Sequence, residues 1–171
     1  MNEKPIAIVE ADLSLADHQD ATLRLLNAYA MDPMGDGQPL SETVLRELIP
    51  GLIALPTTMV FLAYREAEAI GLAICFRGFS TFAARPLVNI HDFFVMPAHR
   101  GTGAGRLLLA AIERRARDLG CCKLTLEVQE NNHRAQGIYA AAGFSQTTHV
   151  PAAGGALFLS KPLQFRSRIL V

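Results

Sequence analysis

The stretch His91–Gly120, HDFFVMPAHRGTGAGRLLLAAIERRARDLG, places three glycines on alternate positions, Gly101, Gly103 and Gly105, between a run of aromatics and a long aliphatic segment. Glycine loses more conformational freedom on folding than any other residue, so this spacing points to backbone that takes φ > 0 or approaches another group closely. Upstream, residues 87–95 read as a strand that Pro97 closes. Downstream, Leu108, Ile112, Ala116 and Leu119 recur at helical spacing, which predicts a helix over 104–119 with that face packed on a sheet. The six residues RGTGAG are then the turn between strand and helix. Unpaired amides at a helix start, aided by the helix dipole, make an anion site, with a phosphate as its guest. An ordinary glycine-rich turn without a ligand is the alternative. Two common phosphate loops are excluded by spacing. A Walker loop requires Lys and then Ser or Thr after its last glycine, where Arg106 and Leu107 stand; a dinucleotide fingerprint begun at Gly101 requires glycine in place of Arg106.

Outward from this centre the chain alternates strands and helices. Residues 6–11 read as a strand, and a helix from about Ser14 to Ala30 ends before the turn-rich DPMGDGQP of residues 32–39. Ser41 and Glu42 open a second helix that Pro50 and Gly51 are expected to interrupt. Residues 58–66 and 69–79 are β-rich runs joined as a hairpin at EAE, residues 66–68. After the central strand and helix come a strand at 123–128, a helix at 132–142, and two last strands within 145–163 joined at Gly154 and Gly155. The expected order is βααβββαβαββ, an α/β pattern with a mixed sheet.

Composition bounds the function classes. The chain has 171 residues, half of them hydrophobic, which suits one well-packed domain. Its longest apolar runs fall far short of the roughly 20 residues that cross a bilayer, and its start lacks a signal-peptide core, so a soluble, cytoplasmic chain is expected. Three cysteines, two of them adjacent, match neither a disulfide framework nor a zinc spacing and read as small apolar residues. Residues His18, His99, His133 and His149 have no clustered ligand partners, so no metal is expected. The zero net charge argues against general nucleic-acid binding. It conceals a division: residues 1–75 carry 11 acidic and 4 basic side chains, and residues 76–171 carry 5 and 12. That division suits a cationic substrate on one side and a polyphosphate cofactor on the other, or simply solvated surface of uneven sign.

A second segment, LEVQENNHRAQGIYAAAGF at residues 126–144, follows some 25 residues after the glycine turn. Together the two segments resemble the GCN5-related N-acetyltransferase (GNAT) superfamily. Its R/Q-x-x-G-x-G/A loop corresponds to Arg100, Gly101, Thr102, Gly103, Ala104 and Gly105, and its N-x-x-A-x-x-x-Y-x-x-x-G-F pattern to Asn132, Ala135, Tyr139, Gly143 and Phe144. The likeness covers about residues 87–145. It implies a GNAT fold: a mixed, mostly antiparallel sheet flanked by helices. It also implies acetyl-CoA as co-substrate, with its pyrophosphate on the loop. Strand and loop are most similar to the spermidine/spermine N-acetyltransferase branch, which reads E-D-F-F-V-M before R-G-x-G-x-G. There the glutamate regarded as a general base falls at His91 in this chain.

The resemblance assigns roles residue by residue. Tyr139 is placed beside the cofactor sulfur as general acid, although it also belongs to the apolar stripe of Ala135, Ile138 and Ala142. His91 is the candidate base, because a neutral imidazole can accept a proton. Alternation puts His91 and Asp92 on opposite faces of the strand unless a bulge intervenes, and Asp92, Glu127 or a water chain are the other candidates for base or substrate contact. Phe94 and Val95 are implied to offer backbone groups to the pantetheine arm where strands 87–95 and 123–128 splay apart. Asn132 reads as a helix N-cap that also lies near the cofactor. Arg100, Arg106 and Arg134 are expected near the CoA phosphates, whereas Arg114 and Arg117 read as a solvated helix face. The expected activity is acetyl transfer to a primary amine of a small, cationic molecule: a polyamine, a diamine or an amino-acid-like compound. A homodimer fits the resembling branch. Two alternatives remain, a non-catalytic acyl-CoA-binding sensor and a peptide or protein N-terminal acetyltransferase.

Overall fold

The computed structural model describes residues 4–146 and 159–161. Five strands form one sheet in the order β1-β2-β3-β4-β5, with β1 at Ile6–Glu10, β2 at Thr58–Arg65, β3 at Glu68–Ser80, β4 at Arg85–Val95 and β5 at Leu124–Leu126. Every neighbouring pair is antiparallel except β4 with β5. The helices are α1 (Ala16–Met31), α2 (Glu42–Ala54), α3 (Ala104–Asp118) and α4 (His133–Ala141). The observed order βααβββαβα follows expectation. The two last strands and His149 rest on residues outside those described.

The sheet separates two cores. On one face α3 buries Leu108, Ile112 and Ala116 against Phe61, Ile70 and Val88, with Leu119 packed at the edge. On the other, Leu25 of α1 and Ile49 and Leu52 of α2 meet Leu62, Leu72 and Phe94. Leu108 and Ile112 are fully buried. Truncating either to Ala would cost ~2–5 kcal/mol through lost transfer energy and the cavity left behind. Among the described residues no helix is long and apolar enough to cross a membrane.

Some local expectations are corrected. Pro50 does not interrupt α2, which runs unbroken from Glu42 to Ala54. Its ring lies on the exposed side, while Ile49 and Leu52 hold the helix to the core. Packing outweighs the hydrogen bond that the proline removes. Ser41 caps this helix as expected, its hydroxyl accepting from the Val44 amide at 3.3 Å. The cysteines also divide: Cys75 is buried in the core, but Cys122 is exposed. Nor do the opposite charges of the two sequence halves stay apart, since Glu10 pairs with Arg115 and Asp32 with Arg100.

Candidate active site

Pairing between β4 and β5 ends almost as soon as it begins. Only Val88, Asn89 and Ile90 face Leu124, Thr125 and Leu126, and β4 then runs on to Val95 beyond the end of β5. A cavity of about 850 Å³ occupies the parting. Phe93, Phe94 and Val95 form one wall, and Leu126, Glu127 and Val128 form the other. The strand expected over 123–128 is therefore shorter than its sequence pattern, because its second half bounds the opening instead of pairing. A volume of several hundred Å³ suits a small molecule or the arm of a cofactor.

The glycine turn closes one end of this cavity. Gly101 and Gly103 have φ of 83° and 89°, and Gly103 is the N-cap of α3 without a side chain to cap it. Amides of the first helical turn have no carbonyl one turn back, so they remain available for an anion. Gly101, Ala104 and Gly105 line the cavity, whereas Thr102, Gly103 and Arg106 do not. The Thr102 hydroxyl instead donates to the His99 carbonyl at 2.7 Å, which tightens the turn. Arg106 is exposed, and Arg134 lies in the cavity wall.

Arg100, expected near the phosphates, is held by the protein. Its Nη2 donates to Asp32 Oδ2 at 2.5 Å and its Nε to the Val95 carbonyl at 3.0 Å, with the guanidinium 5.7 Å from the Phe94 ring centre. Asp32, the C-cap of α1, is buried. Burial by itself raises its pKa; the Met34 amide, the Arg100 hydrogen bond and the Arg100 charge overcome that effect and hold it below the usual carboxylate range. The end of α1 is thus fastened to the start of the glycine turn.

A bulge in β4 overturns the simple alternation at His91 and Asp92. Ile74 and Cys75 face Asp92 and Ile90, leaving His91 as the extra residue. Before it Val88 and Ile90 point into the α3 core; after it Phe93 and Val95 do. His91 and Asp92 therefore share the opposite, α1-side face. His91 lines the cavity and sets its ring edge-on to Phe76 at 5.4 Å. Asp92 is not part of the cavity wall. Burial raises its pKa, and the neighbouring His91 opposes the shift.

Tyr139 comes from the other side. It is 8% exposed and lines the cavity, with its ring 5.8 Å from those of Phe93 and Phe144. Burial, and secondarily Tyr29, pushes its pKa up to about 12. Asn132 caps α4, its side-chain oxygen accepting from the Ala135 amide at 3.2 Å, and it too faces the cavity together with Glu127. Sequence reasoning missed the end of α1: Tyr29, Asp32 and Met34 all line the same space. The turn-rich DPMGDGQP marks where α1 ends, but no motif marks Tyr29.

Comparisons with known proteins agree with this geometry. Residues 23–144 match the acetyltransferase (GNAT) family. The uncharacterized N-acetyltransferase YhfO of Bacillus subtilis is 30% identical over 91 residues, 53% of this chain and 61% of that protein. The thialysine N-epsilon-acetyltransferase of Bos taurus is 32% identical over 79 residues, 46% of each chain. The chain thus spans about half to three-fifths of the length of these relatives. AAC(6')-Iy, solved in complex with the bisubstrate analogue CoA-S-monomethyl-acetylneamine, superimposes with a TM-score of 0.71 at 19% identity, covering 93% of this chain and 99% of that one. At that identity the likeness is one of fold.

Proposed function

Because this chain belongs to the GNAT acetyltransferase family, we propose that it transfers an acetyl group from acetyl-CoA to a primary amine of a small, cationic molecule, such as a diamine, a polyamine or an amino-acid-like compound. The observation that carries this reading is the parting of β4 from β5, with the glycine turn at one end and Tyr139 in its wall. The pyrophosphate of CoA is read onto the amides of Gly101–Gly105. Its pantetheine arm is read along Phe94 and Val95.

Transfer requires a neutral amine to attack the thioester carbonyl. A C–N bond forms, the C–S bond breaks, one amine proton leaves and the CoA thiolate gains one. His91 is our choice for the base that takes the amine proton, since its imidazole lines the cavity on the acceptor side. Tyr139 would protonate the thiolate. A tyrosine whose pKa is pushed up to about 12 keeps its proton until the thiolate develops. Asp92 and Asp36 bear electrostatically on Tyr29, while the charge of Asp32 is met by Arg100, so the α1 side of the cavity offers two carboxylates that favour a cation. The thialysine N-epsilon-acetyltransferase relative supports a side-chain amine as acceptor.

Screening amines against acetyl-CoA by thiol release tests the reading. Diamines and basic amino-acid analogues should outperform neutral amines of equal length. A preference for neutral or acidic acceptors would overturn the substrate class, and no turnover with any amine despite CoA binding would leave the acyl-CoA sensor.

A further inference from the structure

Tyr29 lies in the last turn of α1 and lines the same cavity as Tyr139. The two tyrosines arrive from opposite faces of the sheet. Tyr29 is on the α1 side, where its ring packs on Phe94 at 5.6 Å, and Tyr139 is on the α3 side against Phe93. Both line the cavity where β4 and β5 part. Neither hydroxyl has a hydrogen-bond partner among the described residues. A part-buried hydroxyl without a protein partner is available to a ligand.

Tyr29 is also held firmly. Its carbonyl accepts from the Asp32 amide at 3.0 Å, and Asp32 is fixed in turn by Arg100. The chain after α1 folds back so closely that a Cβ on Gly35 would stand 2.2 Å from the Tyr29 carbonyl oxygen. Helix end, strand and glycine turn together fix this one ring, the kind of support that a positioned binding group requires.

Resting on the acetyltransferase reading, we propose that Tyr29 is an acceptor-binding residue: its hydroxyl accepts a hydrogen bond from the reacting amine and holds it opposite Tyr139, so that the thioester lies between two phenols from opposite faces of the sheet. An N–H donated to Tyr29 leaves the nitrogen lone pair free to attack the carbonyl. Burial, followed by the charges of Asp92, Asp32 and Asp36, raises the Tyr29 pKa, so the phenol stays neutral and serves as a hydrogen-bonding group and not as a base.

The test compares CoA with CoA joined through an acetyl bridge to 1,4-diaminobutane, each titrated calorimetrically into wild type and Tyr29→Phe. The phenyl ring keeps the contact with Phe94. The variant should bind the conjugate about tenfold more weakly, the worth of one neutral hydrogen bond, with CoA affinity unchanged. In turnover the KM for the diamine should rise while that for acetyl-CoA holds. A second variant, Gly35→Ala, displaces Tyr29 through its backbone and should reproduce the selective loss. Equal conjugate affinity in wild type and Tyr29→Phe would overturn the assignment alone, and so would a loss shared equally by CoA and conjugate. A wild type that binds neither compound would overturn the acetyltransferase reading on which the assignment rests.

Discussion

Asp32 and Arg100, 68 residues apart in the chain, are joined by a 2.5 Å hydrogen bond that ties the C-cap of α1 to the first residue of the glycine turn. The carboxylate is buried and the guanidinium mostly so. Removing one partner strands the other charge, at a cost of up to about 3–5 kcal/mol for a fully buried pair. Arg100→Met should therefore lower stability well beyond a surface substitution. Arg100→Lys, which retains charge but not the two-armed geometry, should cost less. Denaturant unfolding of both variants measures the difference.

The same pair sets a pH dependence. The pKa of Asp32 lies below the usual carboxylate range, so its stabilisation is fully present above an ordinary aspartate pKa of about 3.9 and is lost as pH falls through the lower folded value. Asp32→Asn should have a lower Tm than wild type at neutral pH, with the gap closing in acid. A gap that stays constant with pH would mean that the charge is irrelevant.

The glycines of the turn should separate by conformation. Gly103 has φ 89°, where a side chain costs roughly 1–2 kcal/mol of backbone strain, although a Cβ there would meet only Arg106 at 3.6 Å. Gly105 has no such φ, and its Cβ would make ordinary contact with the Phe93 ring at 3.6 Å. Gly103→Val is expected to weaken acetyl-CoA binding in a folded but less stable protein; Gly105→Ala should leave both near wild type. Calorimetry with acetyl-CoA, paired with thermal unfolding, checks this. Unchanged affinity in folded Gly103→Val would mean that the glycines serve only the turn.

Tyr139→Phe retains the contacts with Phe93 and Phe144 and removes only the hydroxyl. Turnover should fall by about 10²-fold, the lower end for a general acid, with little change in acetyl-CoA affinity. Since burial pushes the Tyr139 pKa up to about 12, no descending limb from this group should appear at neutral or mildly alkaline pH. An unchanged rate would return Tyr139 to the apolar stripe.

The fold and the glycine-turn side of the cavity were legible because local chemistry writes them: glycine spacing, the helical repeat of Leu108, Ile112 and Ala116, and the Asn132 cap. The α1 side of the cavity was not. Tyr29 reaches the cavity only because α1 crosses the sheet face at Phe94, and Arg100 turns to Asp32 only because the two ends meet in space. The bulge at His91 is a matter of pairing with β3, and a single strand's pattern cannot display it. Pro50 misleads for the complementary reason. Its local signal is strong, and the burial of Ile49 and Leu52 overrides it.

That bulge sets His91 and Asp92 side by side on the α1-side face of β4. Burial raises the Asp92 pKa, with His91 opposing it. A raised acid pKa means that stability is fully present below the ordinary carboxylate value and declines as pH rises through the folded one. Asp92→Asn should therefore unfold at a higher temperature than wild type at neutral pH, with the advantage vanishing in acid. The same change removes a negative charge next to Tyr29, so kcat/KM should fall more for diamines than for neutral monoamines. Such a trade, stability against selectivity, is expected where a buried charge serves a ligand and not the fold. His91→Ala completes the comparison. If the imidazole is the base, kcat for a neutral monoamine should collapse in His91→Ala and hold in Asp92→Asn. The reverse pattern would transfer the base role to Asp92, and a more stable Asp92→Asn with undiminished diamine selectivity would remove Asp92 from acceptor recognition.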